Sequence, residues 1–101
     1  NPKYNPTSAE ITFTNHIIQI PADTDQDALC RILLKDKTGM KKVWPMDELQ
    51  EEIMATFEPG KWRKIYNAAR EINQKVAVKT SIIDFLLITT KSVTLNPKYL
   101  K

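Results

Sequence analysis

Arginine, asparagine and glutamine are the side chains able to form paired hydrogen bonds with one edge of guanine or adenine. Arg63, Asn67, Arg70 and Gln74 bring all three types into one short segment. On a wheel of 3.6 residues per turn, Arg63, Lys64, Asn67, Arg70, Gln74 and Lys75 fall largely on one side, and Trp62, Ile65, Tyr66, Ala69, Ile72 and Val76 on the other. Lys61, Lys64, Lys75, Lys79 and Lys91 add ammonium groups, which neutralise phosphates and position a ligand without reading its sequence. The chemistry on offer is recognition of nucleic acid. A polar, basic helix face is also what a merely solvated surface looks like, so the reading needs support from the rest of the chain.

The distribution of charge supplies some. The net charge is only +3 over 101 residues. Residues 1–60 hold six Lys/Arg against ten Asp/Glu, a balance of −4, whereas residues 61–101 hold nine against two, a balance of +7. Helix N-termini favour acids and explain part of the first half. They do not explain the basic second half, which is how one side of a small domain facing an anionic polymer would be charged.

Other chemistries find little footing. His16 is the only histidine, and no triad or metal-ligand spacing surrounds it. Cys30 lies beside an apolar helical stripe and reads as a buried, inert thiol. A lone cysteine forms no internal disulfide and fits a cytoplasmic setting. Asp47, Glu48, Glu51 and Glu52 form an acidic cluster better explained by a helix start than by a metal. Two glycines leave no glycine-rich phosphate loop. No enzyme activity, cofactor or metal is therefore expected. Trp62 and Tyr66 could stack on unpaired bases, but their spacing alongside Ile65 and Ile72 assigns them to the core. Trp44, beside Pro45, reads as a core residue or as an exposed anchor for a partner protein.

These residues need elements to hold them. Residues 1–8, with Pro2 and Pro6, read as an irregular lead-in to a single domain over 9–101. Ile11-Thr12-Phe13-Thr14 alternates apolar with polar, Asn15-His16 offers a turn, and Ile17-Ile18-Gln19-Ile20 runs into Pro21, giving a leading β-hairpin or one bent strand. Thr24 is a helix N-cap with Asp27 at capping-box spacing, and the helix that carries Leu29, Ile32 and Leu33 is expected to stop near Gly39 in a left-handed conformation. A second helix is expected from Pro45, burying Met46, Leu49, Ile53 and Phe57. After Pro59-Gly60 the third helix covers about 61–76, and strands over 82–88 and 92–95 flank Thr89-Thr90-Lys91. The most apolar run, 82–88, is interrupted by Asp84 and is far too short to cross a membrane. The chain starts at Asn1 without a signal pattern, which reads as a piece of a longer protein or a processed one. The repeated Asn-Pro-Lys-Tyr at 1–4 and 96–99 reads as coincidence.

The resulting order is hairpin, three helices, hairpin. With residues 11–20 as leading strands, Asp27-Ala28-Leu29-Cys30-Arg31-Ile32-Leu33-Leu34 as the first helix and Val43-Trp44-Pro45-Met46-Asp47-Glu48-Leu49 opening the second, the chain resembles winged helix-turn-helix domains of the response-regulator effector type. Residues 65–75 then correspond to the recognition helix and 85–95 to the wing. The resemblance implies an α+β fold whose third helix enters a major groove of double-stranded DNA while the wing touches an adjacent groove or backbone. Arg63, Asn67, Arg70 and Gln74 would read bases, and Lys61, Lys64, Lys75, Lys79 and Lys91 would hold phosphates. A transcription regulator or a replication or mobile-element protein is the expected setting. Other domains of the parent protein, and a second copy in a homodimer, are expected as partners. The alternative is a winged-helix protein-interaction module, carried by the acidic first two helices and Trp44.

Overall fold

The computed structural model describes residues 1–55 and 59–100. Among these residues the fold is α+β, with four α-helices and two three-stranded antiparallel sheets. In the first sheet, β1 (Lys3–Asn5), β2 (Glu10–Thr12) and β3 (Ile17–Gln19) lie in sequence order, with Tyr4 opposite Ile11 and Ile11 opposite Ile18. Period-two alternation buries Ile11 and Ile18 and leaves Ile17 outside. The leading hairpin expected above is thus correct for β2 and β3 but incomplete. Residues 3–5, expected to be irregular, add a third strand. Pro2 and Pro6 bracket a segment so short that only its pairing with β2 reveals it.

The first helix, α1 (Asp25–Leu33), starts as expected: the Asp27 amide donates to Thr24 Oγ1 at 3.4 Å. Its end does not. Asp36 caps a separate short helix, α2 (Lys37–Lys41), by accepting the Gly39 amide at 2.8 Å on Oδ1. The three-helix expectation is therefore corrected to four, because an aspartate side chain competing for backbone donors starts a new helix. Gly39 is not a left-handed terminator. It is buried inside α2, where an added Cβ would stand 3.1 Å from the Ile32 carbonyl oxygen.

The second sheet is built from distant segments. β4 (Trp44–Pro45) leads directly into α3 (Met46–Met54), with Pro45 as the N-cap and not the first helical residue. The longest helix, α4 (Trp62–Thr80), runs a full turn beyond the expected residue 76. α3 and α4 end on left-handed residues, Ala55 (φ 57°) and Ser81 (φ 64°). β5 (Leu86–Ile88) and β6 (Ser92–Leu95) form the expected C-terminal hairpin, and the spatial order is β4-β6-β5. The strand expected from residue 82 begins only at Leu86, since Asp84 adopts φ 55°, incompatible with extended pairing. A 3-10 turn over Pro97–Tyr99 follows.

One buried cluster draws on both sheets and all four helices. From α4, Ile65, Ala68, Ala69, Ile72 and Val76 face inward, against Leu29 and Leu33 of α1, Leu49 of α3 and Phe85. Met46 and Leu49 are buried on α3 as expected, while Ile53 is only half-buried. Phe57, expected on the same face, lies outside the described residues.

Candidate nucleic-acid interface

Helix α4 has two faces because its sequence has two periodic sets. Ile65, Ile72 and Val76 are at most 1% exposed. Arg63, Asn67, Arg70 and Gln74 are separated by four, three and four residues, so at about 100° per residue they stay within about 60° of one another. That sector lies opposite the core, and all four are exposed. The two guanidinium groups are held near aromatic rings: Arg63 lies 5.6 Å from the Trp62 ring centroid and Arg70 lies 5.9 Å from that of Tyr66. Both distances are within cation–π range, which restrains these long side chains without using up their donors.

Trp62 and Tyr66, assigned to the core above, are half-buried at its margin. They meet edge to face with centroids 5.9 Å apart.

The lysines divide. Lys64 is exposed on α4 and Lys61 is half-buried at its N-cap. Lys91 is exposed in the turn between β5 and β6. That turn is ordered by Thr89, whose Oγ1 accepts the amides of Lys91 at 3.0 Å and Ser92 at 2.9 Å. The Lys91 carbonyl accepts the Met46 amide at 2.8 Å, seating the turn at the start of α3 and beside Trp62. Lys75 is directed elsewhere: its ammonium donates to Gln26 Oε1 at 2.8 Å, and Gln26 Nε2 donates to Glu71 Oε2 at 2.6 Å. This network ties α4 to α1. Lys79 is exposed near the far end of α4, beside Ile18 and Gln19 of β3 and about 27 Å along the axis from Lys61. Arg63, Asn67, Arg70 and Gln74 therefore share one sector of α4, with Lys64 about 100° round the helix from Arg63, Lys61 at the N-cap and Lys91 in the turn beside Trp62, while Lys75 is held by Gln26 and Lys79 lies near the far end, beside Gln74.

Sequence reasoning missed Asn73. Its Nδ2 donates to the Leu86 carbonyl at 2.9 Å, and its Oδ1 accepts the Leu86 amide at 2.8 Å. The side chain thus pairs with β5 as a neighbouring strand would and sets the hairpin against α4. An asparagine beside an apolar helical stripe was the available signal.

Asp27 was expected to complete a capping box with the Thr24 amide. Its carboxylate instead accepts the Tyr4 hydroxyl, the Asp23 amide at 3.0 Å and Arg31 Nε at 3.1 Å. Burial alone would raise its pKa, but these three donors outweigh that and hold the carboxyl below the usual range. Burial, followed by the bond to Asp27, pushes the Tyr4 hydroxyl well above the ordinary phenol range. Burial likewise pushes the Cys30 thiol up, which keeps it protonated and unreactive.

His16 is exposed in the β2–β3 turn. Among the described residues, no three His, Cys, Asp or Glu side chains cluster as metal ligands. No helix there is long and apolar enough to cross a membrane. Trp44 is half-buried, with its indole N–H donated to the Gly39 carbonyl at 3.0 Å and its ring covered by the Lys42 ammonium at 4.0 Å. Comparison with protein-family models, with curated proteins and with solved structures finds no match to this chain.

Proposed function

We propose that this chain is a winged helix-turn-helix domain that binds double-stranded DNA through α4 and the β5–β6 turn. Several features support the fold assignment. Two helices, α3 and α4, precede a hairpin, and a short strand before α3 pairs with the hairpin's second strand, giving the order β4-β6-β5. In such a domain α4 is the helix that enters the major groove and the β5–β6 turn is the wing.

The observation that carries the functional reading is the exposed row Arg63, Asn67, Arg70 and Gln74, set opposite the buried face of α4 and flanked by Lys64. Each member of the row can address a purine edge in the major groove. Lys61, Lys64 and Lys91 supply phosphate contacts at the same end of the molecule. A mobility-shift titration with the double variant Arg63→Ala, Arg70→Ala tests the assignment. Loss of duplex binding with an unchanged circular dichroism spectrum is expected, and unchanged affinity would refute it.

A further inference from the structure

The proposed DNA-binding surface is interrupted by a cavity. It measures about 330 Å³ and opens between the β5–β6 turn, the first turn of α3 and the start of α4. This is at the lower end of the size range that takes small-molecule ligands. Met46, Pro59 and Trp62 give it apolar walls, and Asp47, Gln50, Thr90 and Lys91 add a carboxylate, an amide, a hydroxyl and an ammonium group to its lining. Trp62 packs against the margin of the core and edge to face on Tyr66. It is large and apolar, yet half-buried, and it lines this opening while its neighbour Arg63 faces the proposed groove.

We infer that the cavity receives one unpaired nucleobase from the bound DNA, so that the domain favours duplexes carrying an extruded or mismatched base beside its site. The inference rests on the DNA-binding reading and deepens it. Base–aromatic stacking is the largest sequence-tolerant gain available to an unstacked base, and an indole supplies it. The Asp47 carboxylate accepts hydrogen bonds from an exocyclic amine, which adenine and cytosine carry and thymine lacks. Lys91 faces the phosphate of the extruded nucleotide. Extrusion is least costly where the base is already unpaired, which makes such duplexes the preferred ligand.

The test compares a matched duplex with the same duplex carrying one extra adenine, by fluorescence anisotropy. The wild-type protein should bind the bulged duplex about tenfold more tightly, as stacking of one base supplies. It should also quench 2-aminopurine placed at the bulge, and an extra thymine should give a smaller gain. Thr90→Trp, at an exposed position, fills the cavity and should bring the ratio of bulged- to matched-duplex affinity down to one, whatever it does to matched-duplex affinity itself. Trp62→Leu, which removes the stacking ring, should likewise bring that ratio to one, and since the ring also restrains Arg63 its matched-duplex affinity is the reference for the ratio. Equal wild-type affinity for the bulged and matched duplexes overturns the cavity assignment and leaves DNA binding standing, as does a preference that survives Thr90→Trp. Failure to bind either duplex overturns both.

Discussion

The side-chain amide of Asn73 on α4 closes a two-bond ring with the backbone of Leu86 on β5, at 2.9 and 2.8 Å. These bonds tie the proposed recognition helix to the first strand of the proposed wing. Leu86 is only 2% exposed, so removing the amide leaves a buried N–H and a buried C=O without partners. Asn73→Ala should lower stability by about 2–4 kcal/mol, the cost of two such groups. Asn73→Asp keeps the acceptor and loses the donor, and should fall between it and the wild type. Urea titrations measure both, and an Asn73→Ala midpoint equal to wild type would show that the clamp contributes nothing.

Much of the fold was legible because periodicity reports burial. The apolar stripe of α4, the alternation in β2 and β3 and the Thr24 cap each rest on near neighbours in sequence. What escaped was set at a distance or by backbone conformation. β1 exists because Lys3 to Asn5 pair with β2, and Asn73 acts on a residue thirteen positions away. α1 ends early because Asp36 turns its side chain to the Gly39 amide, and β5 starts late because Asp84 is left-handed. Within the proposed site, the row of four on α4 follows from spacing alone. The diversion of Lys75 to Gln26, a residue on another helix, does not.

That diversion gives a functional prediction. Each phosphate contact adds about one unit to the slope of log K against log salt concentration. Lys64→Met should therefore reduce the slope by about one, and Lys75→Met should leave it nearly unchanged. An equal reduction by both would place Lys75 on the DNA despite its bond to Gln26.

Asp27 sets a limit at low pH. Its folded-state pKa is depressed because the Tyr4 hydroxyl, the Asp23 amide and Arg31 outweigh the effect of burial. A depressed carboxylate contributes stability above its unfolded value, near 3.9, and loses it as pH falls through the folded value. Tyr4 acts at the other end. Its raised pKa contributes stability below about pH 10, which is lost as pH climbs through the folded value. Asp27→Asn should flatten the acid limb of the stability–pH curve, and Tyr4→Phe the alkaline limb. An acid limb unaltered in Asp27→Asn would assign it to other carboxylates.

Ser81 closes α4 at φ 64°, a conformation that costs a residue with a Cβ about 1 kcal/mol relative to glycine. Ser81→Gly should raise the urea midpoint by the equivalent of about 0.5–1 kcal/mol. A fall in the midpoint would mean that the serine contributes more than its backbone strain costs.

The central claim is that one face of α4, with the β5–β6 turn, meets duplex DNA. Amide chemical shifts of the isotope-labelled protein, followed as a short duplex is added at low salt, test it most directly, because even sequence-independent binding uses the same surface. The largest changes are expected at Arg63, Lys64, Asn67, Arg70, Gln74 and Lys91, with α2 and the exposed side of α3 silent. Changes confined to α1, α2 and α3, or no changes at all, would contradict the assignment.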